Sequence, residues 1–103
     1  VLKVSEVYEK QVRTIRERPD GSEYVNFEKI LTSQDILINL DYVVSVQPHE
    51  FTSSLVLSKA EEAFPEGTKF STFVVDGNSF RKSEIIVVGS FDKFASLLRD
   101  NKS

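Results

Sequence analysis

The sequence predicts a mainly β domain of the α+β kind, with about five or six strands in one antiparallel meander, closed by a C-terminal amphipathic helix. Three observations predict it. "RPDGS" at 18–22 is a turn signal set between two runs rich in β-branched and aromatic residues. "TKFSTFVV" at 68–75 and "SFRKSEIIVV" at 79–88 repeat that plan around "DGN". "SFDKFASLLRD" at 90–100 then carries apolar residues at helical spacing. A sheet this small must bend onto itself or lay its apolar face on the helix. A small SH3- or Sm-like barrel is the preferred form; a strongly bent open sheet with the helix on one face is the alternative.

Residues 11–17 and 23–31 read as a first hairpin. Pro19 presets φ for the turn, and Gly21 takes the left-handed conformation that follows. Arg13, Ile15 and Glu17 oppose Val12, Thr14 and Arg16 by alternation, and Val25 and Phe27 share a face. Val4, Val7, Tyr8, Val12 and Ile15 also fit a helical stripe, so a short helix around 5–10 stays open.

Ile36 and Ile38 alternate with Leu37 and Asn39, a bend is expected at Asn39–Asp41, and a further strand at 42–47. Pro48 ends that ladder because it has no N–H to donate. "SSLVLSKAEEAFPEG" reads two ways. It is a helix capped by Ser53 or Ser54 and stopped by Pro65 and Gly67, or a strand "SLVLS" followed by an exposed turn. In 68–75, Phe70, Thr72 and Val74 alternate against Lys69, Ser71, Phe73 and Val75. Gly77 supplies positive φ for the turn, and Gly89 breaks the returning strand. Ser90 then caps a helix over 91–100 whose apolar face is Phe91, Phe94, Ala95, Leu97 and Leu98.

The segments 36–47 and 73–98 together resemble the small flagellar FlbD-type proteins. The matching residues are Ile38, Asn39, Asp41, Val43, Asp76 and Gly77. The resemblance implies a fold outline: a strand, an edge strand ending in Asp-Gly, a return strand and a short amphipathic helix. It implies no activity.

The chain has 103 residues, which fits a single domain over 1–103. With no cysteine, disulfide scaffolds, thiolate metal sites and cysteine catalysis are excluded, and the composition fits a cytoplasmic setting. No apolar run approaches the roughly 20 residues of a membrane span, so no membrane partner is expected. Acidic residues outnumber basic ones 16 to 13, for a net charge of −3, which argues against a phosphate backbone as the main partner.

His49, beside Glu50, is the one histidine, and a solvated loop residue is the favoured reading over acid–base catalysis. Glu61, Glu62 and Glu66 read as a solvated face rather than metal ligands. No phosphate-binding glycine motif precedes Ser90, which is read as a plain helix cap. Lys10, Arg13, Arg16 and Arg18 make the first hairpin basic, and neighbouring Glu9, Glu17, Glu23 and Glu28 are expected to pair with cations across the strands. Phe80, Arg81 and Lys82 form a second spot, read as an edge guard in preference to a base-stacking site.

The reading that results is a non-enzymatic interaction domain, associating with itself or another protein through a sheet edge or an apolar face. It needs no cofactor, and no catalytic or metal-binding residue is assigned. The alternative is an Sm-like nucleic-acid binder using Arg13, Arg16, Arg18, Phe80, Arg81 and Lys82. An enzyme centred on His49 ranks third.

Overall fold

The computed structural model describes residues 1–76 and 83–102. In chain order the elements are β1 (Leu2–Glu17), β2 (Glu23–Ile38), a 3-10 turn (Leu40–Tyr42), β3 (Val43–His49), α1 (Ser54–Ala63), β4 (Phe70–Val75), β5 (Glu84–Val88) and α2 (Phe91–Lys102). The five strands form one antiparallel sheet in the order β2-β1-β5-β4-β3.

The first hairpin is longer than its sequence signals suggest. β1 and β2 pair without interruption from Leu2↔Ile38 to Glu17↔Glu23. The stripe that fits a helix at 5–10 instead serves two faces of a strand: Val4 enters one core cluster and Val7 the other. The turn closes as expected. Gly21 has φ 88°, and its N–H donates to the Arg18 carbonyl at 2.9 Å. The Asp20 carboxylate accepts from the Ser22 N–H at 2.9 Å and from its hydroxyl at 2.6 Å.

The sheet is open, with β2 and β3 as separate edges, and not the closed SH3- or Sm-like barrel. Its two edges nevertheless approach each other at one end. Only residues 39–42 join the two edge strands. The path from Ile38 to Val43 spans at most about 18 Å if fully extended, and the 3-10 turn shortens it. Edge strands of a flat five-stranded sheet would stand about 19 Å apart. The edges must therefore curl toward each other here, and Ile38 and Val43 do share one core cluster. A β-bulge between Val43 and Ser45 adds local twist.

Alternation sends the strand residues to two cores. Val4, Ile38, Phe73, Val75, Ile85 and Val87 pack with Phe94, Leu97 and Leu98 of α2. Val7, Leu31, Phe70, Ile86 and Val88 pack on the opposite face with Val56 and Ala60 of α1 and with Phe64, its C-cap. Segment 53–63 is thus a helix, because the second face supplies an apolar surface for it. Ser53 stands at its N-cap without a side-chain capping bond. At α2, the Ser90 hydroxyl accepts from the Lys93 N–H at 3.3 Å. Phe91, read from the sequence as part of the apolar face, is exposed.

β4 lies inside the sheet between β5 and β3, and the bend expected at Asn39–Asp41 is present, leading into the 3-10 turn. In that turn the Asn39 side chain accepts from the Asp41 N–H at 3.0 Å. Residues 77–82 lie outside the described residues, and with them the Gly77 turn and the beginning of the 79–88 strand.

Candidate interaction surface

The long hairpin outruns the sheet. β1 pairs with β5 at Glu6↔Val87, near the base of a 16-residue strand. α1 covers the hairpin as far as Leu31 on β2. Beyond that the two strands run on alone as an arm. The radius of gyration, 17.3 Å with extents of 66 × 29 × 20 Å, reflects this, since a compact chain of this length would have about 13 Å.

The arm has two unlike faces. Even-numbered residues make one, and its charges toward the turn are engaged within the chain, while Lys10 nearer the base is exposed. Arg16 forms an ion pair with Glu28, which also accepts from the Asn26 amide at 3.0 Å. The Arg18 guanidinium stacks over the Tyr24 ring, 4.7 Å from its centroid. Val12, Thr14, Asn26, Glu28 and Ile30 on this face are half-buried.

The odd-numbered face is open from end to end. Ile15 is directly opposite Val25, and Arg13 opposite Phe27. Ile15 is 67% exposed, Phe27 61% and Val25 41%, so three adjacent apolar side chains face water. Charges bracket them. Arg13 and Lys29 lie toward the base, and Glu17 and Glu23 lie at the turn end, directly opposite each other. None of these four charges makes an ion pair among the described residues. The cross-strand pairing expected for Glu17 and Glu23 does not form; two like charges opposed across a hairpin are destabilising instead.

The basic residues read as a possible nucleic-acid contact are thus divided. Arg16 and Arg18 share a face, as alternation implies, while Arg13 is on the other. Phe80, Arg81 and Lys82 lie outside the described residues. Lys29, which sequence reading passed over, completes the cationic end of the odd face; counting along β2 from Gly21 places it on the side of Phe27.

His49 is not a solvated loop residue. It ends β3, half-buried, with Nδ1 3.0 Å from the Thr72 hydroxyl and its ring edge-on to Phe51 at 4.8 Å. That contact begins an aromatic series, Phe51–Phe70 at 5.0 Å and Phe64–Phe70 at 5.2 Å. The three phenylalanines line a cleft of about 710 Å³ beside α1, together with Glu50, Glu61, Glu66 and Lys69. The hydrogen-bond partner of His49 is the Thr72 hydroxyl. Among the described residues, no three His, Asp or Glu side chains converge as metal ligands, and no helix is long and apolar enough to cross a membrane.

Comparison with known proteins finds no matching family model, curated protein or solved structure.

Proposed function

We propose that this chain is a small, non-enzymatic interaction domain that associates with itself through the odd-numbered face of its arm. The observation that carries the reading is the contiguous exposure of Ile15, Val25 and Phe27 on a two-stranded ribbon, a stretch left open by the described residues. Exposed apolar groups gathered on one face, unlike ones scattered singly, mark sites of association. A bare two-stranded ribbon is also marginal in water, and a covering partner would stabilise it.

A face is favoured over a sheet edge for two reasons. Edge β3 carries a bulge and Pro48, both of which discourage strand addition. Backbone pairing at the β2 edge would leave Ile15 and Phe27 in water. The nucleic-acid alternative is less well supported, because Arg16 is engaged by Glu28 and Arg18 by Tyr24. A cysteine-free chain fits a cytoplasmic setting for this role.

Sedimentation velocity over a range of concentrations tests the reading. The weight-average mass of the wild type is expected to rise above that of the 11.7 kDa monomer. Phe27→Ser should hold it at the monomer. A wild-type chain that stays monomeric up to about 1 mM overturns the proposal.

A further inference from the structure

The odd face of the arm is polar in its charge order. Outward from Glu9 at the base, the charges and apolar groups run from Lys29 and Arg13, through Phe27, Ile15 and Val25, to Glu17 and Glu23 at the turn. Cations, apolar centre and anions follow in sequence within one ribbon. Such a surface is complementary to itself, but only in one orientation.

We infer that the face is occupied by the same face of a second copy, with the two arms antiparallel about a two-fold axis that crosses between the Arg13–Phe27 and Ile15–Val25 pairs. This deepens the self-association proposed above and rests on it. In that arrangement Ile15, Val25 and Phe27 of each copy cover those of the other. The cationic end of each arm lies over the anionic end of its mate, twice per dimer. Parallel stacking would set like charges against like. Two-fold contacts of this isologous kind are the commonest in soluble oligomers, and they require a self-complementary patch.

Two independent features support the arrangement. Glu17 and Glu23 oppose each other without a cation of their own chain among the described residues, a repulsion that a partner's Arg13 and Lys29 would relieve. The even face shows the contrary pattern, with Arg16, Glu28 and Arg18 already engaged within the chain. Toward the turn, the even face is closed by its own side chains, and the odd face is left for a second copy. Ribbons stacked face to face lie about 10 Å apart, close enough for arginine and lysine side chains to meet opposing carboxylates.

Charge reversal tests the orientation. Variant Arg13→Glu/Lys29→Glu makes the whole face acidic, and variant Glu17→Lys/Glu23→Lys makes it basic. All four positions are exposed, and circular dichroism verifies that both variants fold. Each variant alone should self-associate at least about tenfold more weakly than wild type, because like charges then oppose across the axis. An equimolar mixture should recover association as a heterodimer, detected by native mass spectrometry. A neutral variant, Glu17→Gln/Glu23→Gln, guards against fraying of the arm: it removes the repulsion within the hairpin and should still weaken the dimer. If wild type associates while the mixture forms no heterodimer, or the neutral variant associates as tightly as wild type, the antiparallel arrangement is overturned and self-association stands. A wild-type chain that never associates overturns both.

Discussion

The ring of Phe94 occupies the space that a side chain on Gly89 would need. A Cβ built on Gly89 would lie 2.5 Å from Cε2 and 2.6 Å from Cζ of Phe94, and Gly89 has φ 140°, a region that L side chains rarely adopt. Its N–H donates to the Lys69 carbonyl at 2.8 Å, and its carbonyl accepts from the buried Ser71 hydroxyl at 2.9 Å. β5 is thereby tied to β4 at the point where the chain leaves for α2, and the missing Cβ lets α2 seat Phe94 edge-on to Phe73 at 4.9 Å.

Gly89→Ala should therefore destabilise the fold by about 3 kcal/mol or more, from backbone strain and overpacking together. Phe94→Ala alone should cost about 3–5 kcal/mol through the cavity it leaves. The double variant should cost less than the sum by about 1 kcal/mol or more, since removing the ring removes the clash. Urea unfolding of the four proteins measures the cycle. Strict additivity would show that the ring and the glycine are not coupled.

The arm's apolar residues should behave oppositely to those of the core. Phe27→Ser is expected to change monomer stability by no more than about 0.5 kcal/mol, because Phe27 is 61% exposed and packs little within its own chain. Phe73→Ala, at a fully buried position in the sheet, should cost about 3–5 kcal/mol. Denaturation at a concentration below self-association makes the comparison. A large loss for Phe27→Ser would mean that the ring contributes to the monomer's own packing.

Much of this was readable in the sequence where the signal is local. The turn at Arg18–Ser22, the alternation that puts Ile15 opposite Arg16 in facing, and the Ser90 start of α2 all follow from neighbouring residues and steric rules. The continuity of β2 through Thr32–Asp35 was not legible. Polar residues in a row imitate a loop, yet Ser33 and Asp35 simply face water from the strand, and the Gln34 amide donates to Glu6 across the pair at 3.0 Å. The pairing of β1 with β5 joins residues about eighty positions apart, and no local pattern specifies it. The identity of α1 turned on a second apolar sheet face that only the assembled sheet provides. Alternation placed Val25 and Phe27 on a common face, but it could not show that nothing covers that face, because the same pattern ordinarily marks a buried one.

At the turn, the Asp20 carboxyl is held below its ordinary pKa, first by the hydrogen bond from the Ser22 hydroxyl and then by that from the Ser22 N–H. A depressed carboxyl stabilises the fold in its ionised form. Its contribution is complete at neutral pH, above the unfolded-state pKa, and is lost as pH falls through the lower folded-state value. Carbon-13 titration of the Asp20 carboxyl should show a midpoint on the acid side of the ordinary range, and Ser22→Ala should move it upward. An unchanged midpoint in Ser22→Ala would remove the hydroxyl as the main cause. Because the carboxyl is fully exposed, the reading is a local one of turn geometry.

Amide exchange along the hairpin should report whether the arm is covered in solution. At the base, β1 and β2 lie between the two cores, with Val4, Val7, Leu31 and Ile38 buried. Toward the turn the ribbon has hydrogen bonds but no buried apolar contacts on its odd face. Such a segment opens locally at low free-energy cost. At low protein concentration, amides of residues 11–17 and 23–29 should exchange faster than those of 70–75 and 85–88. Raising the concentration should slow the first set and leave the second unchanged, because a second copy stabilises only the arm it covers. Deuterium uptake followed by mass spectrometry at two concentrations resolves the two sets. Arm protection that is already high at low concentration, and does not rise further, would mean that the ribbon is stable uncovered, and the case for a partner on its odd face would lose its energetic basis.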